Sequence, residues 1–221
     1  MLLRISVASS DVVALLPYGA LVKTSELDQA AWCYSQGILS YLQRKRFTLA
    51  AGLLGTGYRS LLEVGYGSGI FLPTLAARCE RLCGVDVHPN AEAVTEKLAG
   101  CGVSAELVRA PAEELPYDDA AFDAVVSVSA LEFVDDIDRA CRELARVLRP
   151  GGLGVFITPG YSWVLDLGLF VLTGERAEDT FLGRRQGVLP ALDRHFRIVR
   201  AVRFPRVARP WLYTGVQVIH R

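Results

Sequence analysis

A short apolar run, Arg59 to Val64, leads into Glu63-Val64-Gly65-Tyr66-Gly67-Ser68-Gly69 and then into a helical pattern from Ile70 to Arg78. Strand, glycine turn and helix in that order constrain a chain more than its composition does. Such a strand is buried beside parallel neighbours, and the helix is the crossover that reaches the next one. Pro73 falls in the first helical turn, where a missing N–H costs little. The rhythm then repeats. Arg81 to Val87 reads as a second strand and Pro89 to Ala99 as a helix with Gly100 at its end. Ala105 to Arg109 is a third strand. Phe122 to Val128, rich in valine, reads as a fourth, buried on both faces. Asp136 to Leu148 is an amphipathic helix with Ile137, Ala140, Cys141, Leu144, Val147 and Leu148 on its apolar stripe. Arg149-Pro150-Gly151-Gly152 stops it, and Leu153 to Thr158 is a fifth strand.

This alternation predicts an α/β chain: a Rossmann-like, doubly wound, mostly parallel sheet of seven strands, helices on both faces, and one antiparallel strand near the C-terminus. The closing strands are expected at Phe196 to Arg203 and Tyr213 to His220, after a helix at Leu189 to His195. All of 1–221 reads as a single domain: a helical segment over 1–58, a core over 59–160, and an insert with closing strands over 161–221. In the first part, Asp28 to Phe47 suggests a helix carrying Tyr34, Ile38, Tyr41 and Leu42 on one stripe.

The sequence has 24 Lys plus Arg and 24 Asp plus Glu, so its formal charge is zero. No global positive field would gather nucleic acid or an anionic membrane surface, which leaves only a local basic patch open. Arg194, Arg197, Arg200, Arg203, Arg206 and Arg209 recur at every third position; they read as the solvated side of a helix end and a following strand, with phosphate binding as the alternative. The five cysteines, Cys33, Cys79, Cys83, Cys101 and Cys141, are scattered through apolar stretches and read as free thiols in a reducing compartment. With three histidines and no paired ligand spacing, no metal site is expected. The N-terminus lacks the pattern of a signal peptide, and the apolar stretch Trp163 to Leu172 is too short to span a bilayer. A soluble, cytoplasmic protein with no membrane span is the expectation, and its oligomeric state stays open.

Glycines at the first strand-to-helix turn remove Cβ atoms that would collide with a bound nucleoside and permit positive φ. Asp86 lies 21 positions after Gly65, at the end of the second strand, where a carboxylate can accept from both ribose hydroxyls. The alternative is a helix cap. A nicotinamide dinucleotide fingerprint would place glycine where Ile70 stands. The acidic Glu63 suits a cationic amino-acid group better than a diphosphate, which it would repel.

Six ordered motifs over about 59–160 carry a resemblance. They are Leu61 to Gly69; Gly84-Val85-Asp86; Ala112-Glu113-Glu114-Leu115-Pro116-Tyr117; Phe122 to Ser127; Leu131-Glu132-Phe133-Val134; and Leu148 to Gly152. In these the chain resembles the class I S-adenosylmethionine-dependent methyltransferases, especially the small-molecule group that includes the ubiquinone and menaquinone enzymes. The resemblance implies S-adenosylmethionine as cofactor, S-adenosylhomocysteine as product and in-line methyl transfer to a small-molecule acceptor. It implies that Glu63 and the loop Gly65, Tyr66, Gly67 and Gly69 face the methionine part, Asp86 the ribose and Val87 one face of the adenine. Ala112 and Glu113 would meet the adenine edge, and Ser127 or Val128 would offer carbonyls to the ammonium group. Two positions depart from the pattern: Pro111 stands where the family has an acidic residue on the adenine amino group, and Phe133 where a histidine is common.

No catalytic residue is singled out. Glu132, Asp135, Asp136 and His195 are candidates for a base, with helix capping and a surface helix end as the alternatives. Tyr161 and Trp163, with Leu165, Leu167, Leu169, Phe170, Phe181, Tyr34 and Tyr41, could line an apolar acceptor site between the N-terminal segment and the insert, or simply form core. Two other functions remain open: a non-catalytic cofactor-binding or interaction module on the same fold, and, less in keeping with Ile70, a nicotinamide-dependent oxidoreductase.

Overall fold

The computed structural model describes residues 13–24, 30–159, 166, 183–205 and 211–220. Among these residues seven strands form one sheet: β1 (Tyr58–Val64), β2 (Cys79–Asp86), β3 (Glu106–Arg109), β4 (Phe122–Val128), β5 (Leu148–Pro159), β6 (Arg197–Phe204) and β7 (Tyr213–Ile219). Their order is β3-β2-β1-β4-β5-β7-β6. The first five are parallel, and β7 runs antiparallel to both β5 and β6. This is the doubly wound, seven-stranded sheet with one antiparallel strand that the sequence predicts. The chain moves outward from β1 to β3, then crosses back to place β4 on the other side of β1. That reversal opens a crevice at the carboxyl ends of β1 and β4.

Five helices cover the sheet among the described residues: α1 (Ile38–Leu53), α2 (Leu72–Ala76), α3 (Ala91–Gly100), α4 (Ile137–Val147) and α5 (Arg185–His195). The period-2 alternation of each strand divides the core. Leu61, Ala124, Val126, Val155 and Ile157 pack with Phe47, Leu72, Leu75, Val94 and Leu98 from α1, α2 and α3. Leu62, Val64, Val85, Val125 and Phe156 pack with Ala140, Cys141, Leu144, Val188 and Leu192 from α4 and α5. β4 is buried at all seven positions, as a strand covered on both faces must be.

The helix expected over Asp28 to Phe47 differs. Ala31–Tyr34 is a 3-10 turn, and α1 starts only at Ile38, because Gly37 adopts φ +75° and breaks the run. Its buried side is Arg46, Phe47, Ala50, Ala51 and Leu53, whereas Ile38 and Tyr41 are exposed. Of the stripe read from Tyr34 to Leu42, Tyr34 and Leu42 pack partly buried against the core, while Ile38 and Tyr41 face outward. α4 begins as expected: the Asp136 side chain caps it by accepting from the Arg139 N–H at 2.9 Å. Of the arginine series, Arg194 meets Asp138, while Arg197, Arg200 and Arg203 stand exposed on β6; Arg206 and Arg209 lie outside the described residues. No helix among the described residues is long and apolar enough to cross a membrane.

Candidate active site

The crevice is a cavity of about 680 Å³, within the range of cofactor and small-molecule sites. Its floor is the turn after β1. Gly65 adopts φ +79° and Gly67 φ +52°, conformations that few side-chain-bearing residues tolerate. At Gly65 a Cβ would also lie 2.1 Å from the Ala130 Cβ, so the loop after β4 closes directly over it. The Gly65 N–H donates to the Val85 carbonyl at 2.8 Å, which carries the β1–β2 ladder into the turn.

Tyr66 folds inward instead of covering the surface, and is 2% exposed. Gly84 makes that possible, since a Cβ there would come within 2.9 Å of the Tyr66 ring. Burial, with the Asp86 charge adding to it, pushes the Tyr66 phenol up to about 12.

Asp86 is both a lining residue and a latch. Its Oδ2 accepts from the Gly67 N–H at 2.8 Å, and its Oδ1 from the His88 N–H at 3.4 Å. His88 completes the circuit. Its Nδ1 accepts from the Asn90 N–H at 3.1 Å, so the proton sits on Nε2, which donates to the Gly67 carbonyl at 2.9 Å. The ring stands edge-on to Tyr66 with centroids 5.0 Å apart. Sequence reading passed over His88. The available signal was its place in the Asp86-Val87-His88-Pro89-Asn90 turn, one strand away from the glycine loop.

Glu63, the last residue but one of β1, lies beneath the turn and is 2% exposed. Desolvation, then the nearby Asp86 charge, pushes its carboxyl up to about 8. Its Oε2 is buried with no hydrogen-bond partner, and so are Tyr66 Oη, Ser68 Oγ and Ser129 Oγ. All four residues line the cavity. Buried polar atoms are normally satisfied, so this concentration marks a place for a polar ligand.

The third wall follows β3. Ala112 is buried and Glu113 half-buried. The Glu113 Oε1 accepts from the Asp135 and Asp136 N–H groups at 3.2 and 3.3 Å, joining this wall to the loop after β4. The Glu143 Oε2 accepts from the Leu115 N–H at 2.9 Å, and the Arg146 guanidinium donates to the Leu115 and Tyr117 carbonyls. α4 thereby fixes the stretch that the third motif supplies. Val87, 62% exposed, and Phe133, 44% exposed, add large apolar side chains to the lining.

Of the expected site residues, Glu63, Gly65, Tyr66, Gly67, Asp86, Val87, Ala112 and Glu113 line one cavity. Gly69 lies beside it, its α-carbon facing α3, where a Cβ would meet Val94 at 2.8 Å. Ser127 is buried within β4, one residue before Val128, which does line the cavity. From the N-terminal segment, Thr24, Ala30, Arg46 and Phe47 reach the cavity, and sequence reading did not select them. Tyr34 instead donates to the Leu16 carbonyl, and Tyr41 packs outside on Phe204. Tyr161, Trp163, Leu165, Leu167, Leu169, Phe170 and Phe181 lie outside the described residues.

The candidate bases separate clearly. His195 bonds Asp138 at 3.0 Å, linking α5 to α4 away from the cavity. Asp136 is a helix cap. Asp135 lines the cavity and pairs with Arg184 at 2.6 Å. Glu132 is 1% exposed, and burial pushes its carboxyl up to about 8.

Residues 62–156 match the methyltransferase domain family. Over 94 residues the chain is 34% identical to a sterol 4-C-methyltransferase of Caenorhabditis elegans, covering 41% of this chain and 28% of that protein. Over 131 residues it is 34% identical to a phosphatidylethanolamine N-methyltransferase of Cereibacter sphaeroides, covering 58% of this chain and 63% of that one. The chain thus spans less than two thirds of either relative. Among solved structures, the N-methyltransferase NodS of Bradyrhizobium japonicum with S-adenosyl-L-homocysteine superimposes with a TM-score of 0.64 at 19% identity, covering 90% of this chain and 94% of that one. At that identity the likeness is one of fold.

Proposed function

We propose, for a chain whose residues 62–156 match the methyltransferase domain family, that it is a class I S-adenosylmethionine-dependent enzyme that transfers a methyl group from S-adenosylmethionine to a small-molecule acceptor. The observation that carries the reading is the Asp86–Gly67 latch at the lip of the cavity. A carboxylate has about four acceptor positions; the Gly67 and His88 N–H groups take two, leaving the others for a ribose diol.

The cofactor fits the remaining residues in kind. The unpartnered Glu63 Oε2 is the acceptor an ammonium group needs, and the Gly65–Gly69 loop leaves room for the methionine part. Val87 would cover one adenine face, and Ala112 and Glu113 would meet its edge. The carbonyl of Ser127 or Val128 would help hold the ammonium.

When bound, the cofactor supplies a sulfonium-activated methyl group. The chain's own part is alignment for in-line transfer and exclusion of water. Phe47, Leu131, Phe133 and Val134 supply apolar lining that the cofactor roles do not use, and they suit an acceptor with an apolar body. Relatives named for sterol and phosphatidylethanolamine methylation point the same way. Among the described lining residues the one imidazole, His88, has both ring nitrogens engaged, so an acceptor that needs no histidine base fits best. Five free thiols suit a reducing, cytoplasmic setting.

Calorimetric titration with S-adenosylmethionine and S-adenosylhomocysteine, beside Asp86→Ala, tests the reading. Saturable binding that collapses in the variant is expected. Well-folded protein that binds neither ligand would sink it, and binding without turnover over a broad acceptor screen would leave a cofactor-binding module.

A further inference from the structure

α1 has a second, outward face. Ile38 and Tyr41 stand 75% and 55% exposed on it, with Lys45 one turn on, while Arg46, Phe47, Ala50, Ala51 and Leu53 occupy the buried side. Tyr41 meets Phe204 of β6 edge-on, with centroids 6.0 Å apart, and the Lys45 Nζ lies 5.5 and 5.4 Å from the two rings. On the adjoining flank Arg44 lies 6.0 Å from the Tyr34 ring, which neighbours the 62% exposed Tyr18.

The charge on this face has one sign. α1 carries Arg44 and Lys45 away from its buried side and holds no acidic residue, and β6 adds Arg197 and Arg200 and holds none either. Arg200 pairs with Gln217, whose Nε2 donates to the Leu53 carbonyl, so Arg200 shares the α1 side of the sheet. In a chain with a formal charge of zero, this is local segregation of positive charge beside exposed apolar groups.

We propose that the outward face of α1 and the adjoining edge of β6 form a peripheral docking surface for an anionic lipid bilayer. An exposed aliphatic and two aromatic rings enter the interfacial zone, while flexible cationic side chains reach lipid phosphates. A bilayer suits this surface better than a nucleic acid, because the 75% exposed Ile38 is an aliphatic group that the interfacial zone of a bilayer takes up and that a phosphate backbone or a stacked base does not. The same helix lines the cavity through Arg46 and Phe47, so docking and the cavity share one rigid element. Docking is read without methyl transfer and stands apart from the cofactor assignment.

The test is co-sedimentation of the full chain with vesicles of phosphatidylcholine alone and of equimolar phosphatidylcholine and phosphatidylglycerol. Binding to the anionic vesicles, little to the neutral ones, and release by salt are expected. The double variant Arg44→Glu, Lys45→Glu should weaken partitioning roughly tenfold or more, and Ile38→Ser roughly threefold to fivefold, with unchanged circular dichroism. Folded wild-type protein that ignores anionic vesicles overturns the proposal. So does binding that both variants leave intact, or retention on single-stranded RNA in place of vesicles.

Discussion

The Asp86 carboxylate holds the Gly67 backbone N–H at 2.8 Å, so the end of one strand fixes the loop that leaves its neighbour. One side chain thereby serves the folded loop and the candidate ribose position together. Asp86→Ala should lower S-adenosylhomocysteine affinity by roughly a hundredfold or more, the loss expected of charge-assisted hydrogen bonds. Asp86→Asn, which retains one acceptor oxygen, should fall between the two. Titration calorimetry reads all three, and equal affinity in Asp86→Ala would remove the ribose assignment.

His88 clamps the same loop from behind through the Gly67 carbonyl and the Asn90 N–H. His88→Ala leaves both groups without that partner in a buried place, so a stability loss of about 1–3 kcal/mol is expected. Cofactor binding should weaken with it, by roughly fivefold to twentyfold, because the loop loses its fixed geometry. Urea denaturation and ligand titration check the two effects separately.

Gly65→Ala and Gly67→Ala should differ. Both carry positive φ, but the new methyl at 65 would strike the Ala130 Cβ at 2.1 Å, whereas at 67 the nearest atom is Thr24 Oγ1 at 4.0 Å. Gly65→Ala should therefore abolish cofactor binding and cost several kcal/mol, about 2–4, in stability. Gly67→Ala should cost about 1 kcal/mol of backbone strain. Thermal melts of the two variants decide the ordering.

The Glu63 carboxyl, pushed up to about 8, binds a proton in the folded protein where the unfolded chain is ionised. Stability contributed by Glu63 is therefore present at low pH and falls as pH rises from the ordinary carboxylate range toward about 8. Binding a cationic group needs the ionised form. Cofactor affinity should rise by up to tenfold per unit toward about pH 8, with proton release on binding. Calorimetry in buffers of different ionisation enthalpy measures that release, and Glu63→Gln should lose it.

Much of this was legible in the sequence because short buried strands and glycine turns are local signals. Phe122–Val128 is a strand in full, and Asp136 caps α4 where an acidic residue before an apolar stripe should. Legibility failed where a side chain's meaning depends on distant partners. Arg46 is chemically an unremarkable charge in a basic run, and only α1 packing against the sheet turns it toward the cavity. Glu113 fits the adenine edge by pattern, yet one of its oxygens also holds the Asp135 and Asp136 N–H groups, a contact no local pattern predicts. Gly37 reset the start of the helix, so that of the expected stripe only Tyr34 and Leu42 turn toward the core.

The position of β7 between β5 and β6 has a consequence for folding order during synthesis. A nascent chain that has emerged only as far as Phe204 can assemble β1 to β5, but β6 then lacks the one strand it pairs with among the described residues, β7, which comes later. The outer part of the sheet must wait for Tyr213–Ile219 to emerge. Until then the β5 edge, with Phe156 and Ile157, stands open to any other extended chain. Shielding of β5 at that stage would therefore guard against pairing with the wrong chain.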